Sequence, residues 1–156
     1  MSQQVTTRSA LVTASNSAGS LRLEGYAAVF NQVTDLGTFR EVIAPGAFDG
    51  ADLSDVRFLL NHTGLPLGRT TARTLQLGID STGLHYTVTL PDTSGARELW
   101  QAVARGDVSQ SSFAFTIAGE SWNTSAGLRI VEQVGSVLDV SAVAYPAYTG
   151  TSVSAL

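Results

Sequence analysis

The sequence predicts a mainly β protein with a few helices, folded as a compact β-barrel decorated with helices. Three observations carry that prediction. Most of the chain divides into short runs of Val, Thr, Ile, Leu and aromatic residues separated by Gly, Ser, Asn and Asp clusters. One run alternates strictly between apolar and polar positions. Only one stretch repeats its apolar residues at helical spacing. A length of 156 residues suits one domain with a substantial core. It is read as a single unit over 1–156, with a core over about 21–148 and short mobile ends, up to about Val5 and from Thr149 onward.

Taken in order, a Val- and Thr-rich strand is expected over 6–14, then turn chemistry at Asn16-Ser17-Ala18-Gly19-Ser20. A second strand follows over 21–30 and a shorter one over 38–43, closed by Ala44-Pro45-Gly46-Ala47-Phe48. The nearly continuous apolar run over 56–61 predicts a strand buried on both faces. A loop follows at Thr63-Gly64-Leu65-Pro66-Leu67-Gly68-Arg69. Strands over 74–79 and 84–90 flank the hairpin turn Asp80-Ser81-Thr82-Gly83. In the second of these, Leu84, Tyr86, Val88 and Leu90 share one face, and His85, Thr87 and Thr89 the other. Asp92-Thr93-Ser94 offers N-cap oxygens to a helix carrying Ala96, Leu99, Ala102 and Val103, and Gly106 stops it. Further strands are expected over 111–118, 128–133 and 137–145, with Pro146 ending the last.

Composition excludes several classes of function. Apolar residues make up 44% and charged residues 14%, a packed globular balance rather than a disordered one. With a net charge of -4 and no long Lys/Arg run, nucleic acid is not the expected partner. The chain has no cysteine, which removes thiol nucleophiles, disulfides and thiolate metal sites. Two histidines, His62 and His85, leave little for zinc, so neither metal nor cofactor is expected. The start Met1-Ser2-Gln3-Gln4 lacks a basic region followed by an apolar core, and no apolar run approaches the roughly 18–20 residues of a membrane span. A soluble cytoplasmic protein is the reading.

A few residues could carry chemistry. His62 follows the apolar run and precedes the glycine-rich loop, a suitable place for a general base. By period two it shares a face with Val56, Phe58 and Leu60, so a core-edge histidine is the plain alternative. His85 falls on the polar face of its hairpin and reads as a solvated strand residue. The segment Ser109-Gln110-Ser111-Ser112 runs straight into Phe113-Ala114-Phe115, where a junction of turn and strand could supply a nucleophilic serine and amides for an oxyanion. Ordinary turn serines explain it equally. Asp139, inside the apolar strand 137–143, needs a partner if buried: an oriented histidine, an arginine, or water. Arg69 and Arg129 could bind a substrate carboxylate or support an oxyanion site, or simply lie on the surface.

Taken together and in order, several blocks are similar to the prohead (procapsid) maturation serine protease family of tailed phages. They are Gly25-Tyr26-Ala27-Ala28-Val29-Phe30-Asn31, Glu41-Val42-Ile43-Ala44-Pro45-Gly46-Ala47-Phe48, Leu59-Leu60-Asn61-His62 and Leu67-Gly68-Arg69. Leu90-Pro91-Asp92-Thr93, the stretch from Arg105 to Phe115, Asp139-Val140-Ser141 and Tyr145-Pro146-Ala147-Tyr148 complete the set. The resemblance implies a barrel ringed by helices, like the herpesvirus assemblin protease. It implies a serine endopeptidase without cofactor, with His62 as catalytic histidine, Ser112 as nucleophile and Asp139 as acidic third member. Assemblin-like proteases use a second histidine there, which keeps His85 as the alternative. The implied partners are the major capsid protein precursor and its scaffold segment, with self-cleavage and self-association, inside the assembling prohead in the host bacterial cytoplasm. A catalytically inactive scaffolding module on the same fold is the competing reading. An esterase is disfavoured, because no serine lies in a Gly-x-Ser-x-Gly elbow.

Overall fold

The computed structural model describes residues 3–17 and 19–145. Along these run β1 (Gln3–Ser17), β2 (Ser20–Val29), β3 (Thr34–Asp35), β4 (Arg40–Ile43), β5 (Arg57–Leu60), β6 (Thr63–Arg69), β7 (Leu75–Ile79) and β8 (Gly83–Thr89). A helix, α1 (Ser94–Arg105), then precedes β9 (Gln110–Asn123) and β10 (Leu128–Val143). The residues expected to be mobile from Thr149 on, and most of the Tyr145-Pro146-Ala147-Tyr148 block, lie outside the described residues, as do Met1 and Ser2. At the other end, Gln3, Gln4 and Val5 are in β1 and pair with β9 rather than trailing free.

β10 organises the sheet. One edge pairs antiparallel with β9 from Leu128 to Val143. The other edge serves two parallel partners in turn, β4 against Leu128–Val131 and β5 against Asp139–Ala142. Between them the ladder is irregular, and the 44–52 segment supplies the missing hydrogen bonds. Ala44 N donates to Val131 O (3.0 Å), Val134 N to Ala47 O (2.7 Å), Asp52 N to Gly135 O (2.8 Å) and Val137 N to Asp52 O (3.1 Å). Backbone polar groups that would be buried and unpaired are thereby satisfied. The two strands expected over 128–133 and 137–145 are thus one bulged strand.

The strands follow the order β3-β4-β10-β9-β1-β2-β8-β7, with β5 and β6 branching from β10. Among the described residues these ladders do not close a full circle; the expected ring of helices is corrected, because α1 is the sole helix there. The mainly β class stands. Phe58, Tyr86, Phe113, Val140 and Leu23 belong to one buried cluster, joined by Ala96, Leu99 and Val103 of α1. The helix ends where the sequence indicates. Thr93 Oγ1 accepts from Ala96 N (3.3 Å), and Gly106 takes the left-handed φ of 87°. Gly83 is required by contact: a Cβ there would stand 1.9 Å from the Ala28 carbonyl oxygen. Among the described residues no helix is long and apolar enough to cross a membrane.

The expected loop over 63–69 is strand β6. Pro66 cannot donate to a ladder, but among the described residues β6 pairs with β5 alone, so its other edge tolerates the proline.

At the β4 end of β10 lies a buried ion pair. Arg129 Nε donates to Glu41 Oε2 at 2.9 Å, with Nη2 of the same guanidinium on the same oxygen. Glu41 is 0% exposed and Arg129 7%. The guanidinium also lies over the Phe39 ring, 4.8 Å from its centroid. Removing one member of such a pair leaves an uncompensated buried charge. Glu41→Gln, nearly isosteric, should therefore lower stability by about 3 kcal/mol in urea unfolding, toward the low end of the range for buried pairs. The Glu120 carboxylate, 3.7 Å from Arg129 Nη1, retains part of the compensation.

Candidate active site

The site begins with a turn. β5 and β6 form a hairpin closed at Leu60↔Thr63, leaving Asn61 and His62 as a two-residue loop. Both have positive φ, 55° and 58°. A type I′ turn demands this of its two central residues, and Asn and His are among the non-glycine residues that enter the left-handed region most readily. The strand therefore stops at Leu60, and the parity that would set His62 beside Phe58 does not extend to it. His62 instead meets β10 on the face away from the core.

There His62 Nδ1 is 2.6 Å from Asp139 Oδ1. Both side chains are mostly covered, at 19% and 13% exposed. An ionised carboxylate only accepts, so Nδ1 is the donor in this contact, and in a neutral imidazole the lone pair then lies on Nε2. Nε2 is buried and has no hydrogen-bond partner. Ser141, two residues beyond Asp139 and on the same face, donates from Oγ to Asp139 Oδ1 (2.9 Å) and accepts from the His62 backbone N–H (3.1 Å). Asn61 ties the turn down beside it: Asn61 N donates to Ala142 O (2.9 Å), and Ala144 N donates to Asn61 Oδ1 (2.9 Å).

Ser111 and Ser112 point opposite ways along β9. Ser111 Oγ hydrogen-bonds Tyr86 OH inside the core at 2.6 Å. Burial pushes the Tyr86 phenol well up, and the Ser111 bond opposes that only in part. Ser112 pairs directly with Ser141 in the β9–β10 ladder. Directly opposed residues project from the same face, so Ser112 shares the surface on which His62, Asp139 and Ser141 meet. Ser112 is 0% exposed, so a substrate must displace what covers it. It also pairs with Thr7 on β1. β9 is thus laddered on both edges at Ser112, and the β1 ladder is irregular between Arg8 and Leu11, opposite Ser111 and Gln110.

The remaining candidates lie elsewhere. His85 is on β8, separated from β10 in the strand order by β9, β1 and β2, and packs edge-on against Tyr26 with centroids 5.3 Å apart. Arg69 forks onto Asp55, through Nε to Oδ1 (2.8 Å) and Nη2 to Oδ2 (3.0 Å), and this holds the Asp55 carboxyl below its usual range. Arg129 is engaged with Glu41, so it is not the partner of Asp139. Among the described residues no three His, Asp or Glu side chains gather to hold a metal.

Two residues of this face escape a reading by type. Ser141 gives no signal beyond its spacing from Asp139. Gln110, 4% exposed and two residues before Ser112, has a buried Oε1 without a partner. Its parity with Ser112 was the available signal.

Over 139 residues the chain is 30% identical to the "Prohead protease" of Enterobacteria phage HK97, an alignment covering 85% of this chain and 59% of that protein. The chain thus spans about three fifths of that relative's length. No solved structure matches. The family model described as caudovirus prohead serine protease matches residues 7–156, nearly the whole chain including both serine-bearing strands and the His62 turn, and the chain therefore belongs to that family.

Proposed function

We propose that this chain is a serine endopeptidase of prohead maturation, using Ser112 as nucleophile, His62 as general base and Asp139 as the carboxylate that orients His62. The observation that carries the reading is the 2.6 Å contact between His62 Nδ1 and Asp139. It leaves Nε2 as a buried, unpartnered base on the face that bears Ser112.

In this mechanism Ser112 Oγ bonds to a peptide carbonyl carbon as its proton passes to His62 Nε2. The imidazolium is stabilised by Asp139. The tetrahedral intermediate collapses with cleavage of the C–N bond, and His62 returns the proton to the departing amine. Water, deprotonated by His62, then attacks the acyl-enzyme and releases Ser112. The bond between nucleophile and base is absent from the ligand-free arrangement, and such bonds commonly tighten only when substrate is bound.

The substrate in this reading is the scaffold segment of a capsid precursor, with the chain's own ends as a second substrate; membership of a family described as prohead serine proteases supports it. The competing reading, an inactive assembly module, draws on the complete burial of Ser112.

Substitutions at Ser112, His62 and Asp139, each set beside a control, test the assignment. Ser112→Ala should abolish cleavage of the co-expressed capsid precursor, read by fragment mass, while the protein stays folded. A fluorophosphonate should label Ser112, and Ser111→Ala should keep its turnover per folded molecule while losing stability by about 1–3 kcal/mol, because Tyr86 OH is left buried without a partner. Cleavage surviving in Ser112→Ala but lost in Ser111→Ala would make Ser111 the nucleophile instead.

His62→Ala should cut turnover by at least about 10³-fold, whereas His85→Ala should keep most of it. A folded His85→Ala protein without activity would instead assign the third role to His85.

Asp139→Asn should stay folded and lose turnover on the order of 10³-fold, because the wrong tautomer of His62 is then favoured; Asp139→Glu should retain activity. Unchanged turnover with a lowered melting temperature would make Asp139 purely structural.

A further inference from the structure

We propose that Ser141 is a positioning residue of this site, whose hydroxyl fixes the ring of His62 relative to Asp139; the assignment rests on the reading above. A hydroxyl offers one donor and two acceptor lone pairs. Ser141 spends the donor on Asp139 Oδ1 (2.9 Å), the same oxygen that receives His62 Nδ1–H. One lone pair takes the backbone N–H of His62 (3.1 Å). The same oxygen stands 3.3 Å from His62 Nδ1. One atom therefore touches the carboxylate, the ring and the backbone of the histidine, and it is fully buried.

The arrangement follows from register. Ser141 and Asp139 are two residues apart on β10 and project alike. Ser141 is level with Leu59 on β5, so the turn beyond Leu60 folds back over it. The left-handed backbone of His62 is strained for a residue with a Cβ, and the Ser141 hydroxyl holds its amide in place. Anchoring the turn as a whole does not depend on Ser141, because Asn61 makes two backbone-linked hydrogen bonds to β10 and its continuation. Loss of the hydroxyl should therefore leave the hairpin docked and free the imidazole to rotate away from Asp139. Ser141 lies at the Nδ1 edge of the ring and is committed to Asp139, which distinguishes it from a nucleophile.

The test compares Ser141→Ala and Ser141→Thr with the parent, using the full chain. Ring-nitrogen NMR of His62 reads the tautomer and the exchange of its Nδ1 proton with water, and requires no turnover. The parent and Ser141→Thr should hold a single Nδ1–H tautomer with a protected downfield proton. Ser141→Ala should show mixed tautomers and exchange faster by about tenfold or more, with a fold-reporting amide spectrum like the parent's. On a peptide from the capsid precursor, Ser141→Ala should lower kcat by about tenfold and leave KM within about twofold. If Ser141→Ala does not fold, Ser141→Cys, similar in volume and a weak hydrogen-bonding group, takes its place with the same expectation. A folded variant lacking the hydroxyl whose Nδ1 proton and tautomer match the parent overturns the proposal. A parent with no turnover and no fluorophosphonate label would overturn the protease reading instead, and the ring measurement would still decide the role of Ser141.

Discussion

The pairing of β10 along both edges is the constraint on which this molecule depends. Its 16 residues carry β9 on one side and share the other between β4 and β5. β4 and β5 follow one another in the same direction along that edge, and the segment between them stays against the strand and completes its hydrogen bonds. Both special clusters of the protein hang from this strand, the Glu41–Arg129 pair at one end and the His62–Asp139–Ser141 group at the other. The inward residues of the same strand, such as Val140, fill the core. A slip of one residue would turn Asp139 and Ser141 inward and Val140 outward, so core packing and the geometry of the polar cluster enforce the same register.

The polar cluster is held economically. Asp139 has two donors for one of its oxygens, Nδ1 of His62 and Oγ of Ser141. A carboxylate only 13% exposed would be costly without such donors. Two groups remain unsatisfied in the neighbourhood, His62 Nε2 and Gln110 Oε1. Unpaired buried polar atoms are uncommon enough that each asks for an explanation. Nε2 finds one in the proposed base chemistry. Gln110 is an amide side chain of the same parity as Ser112 on β9.

Much of the fold was legible locally, because local rules determine those parts. The alternation over 84–90 gave the buried face of β8 and the half-exposed position of His85. Thr93 and Gly106 bounded α1 because capping is a short-range requirement. The opposition of Ser111 and Ser112 needed only the period of a strand. What escaped was decided at a distance or by exception. β6 hid behind Gly64, Pro66 and Gly68, residues that an edge strand accepts and a central one does not. The irregular stretch about Gly135 split β10 in two. His62 was assigned a face by extending the strand through Asn61, whereas Asn61 and His62 are themselves the turn. The partner of Asp139 was left open among histidine, arginine and water because it sits 77 residues away. The family resemblance supplied that pairing; periodicity did not.

That separation has a consequence for the order in which the molecule comes into being. His62 is made early, with its hairpin, and can form the local turn at once. Asp139 and Ser141 belong to the last strand in the chain order among the described residues, and β4 and β9 must wait for that strand before their principal ladders close, as must the second edge of β5. Contacts so distant in sequence form late and slowly, since loop closure precedes any reward from pairing. A nascent chain therefore carries His62 without its carboxylate until synthesis has passed residue 141. The same topology that makes folding slow keeps the histidine, carboxylate and serine apart until nearly all of the described chain exists, so an incompletely synthesised chain holds no assembled polar cluster.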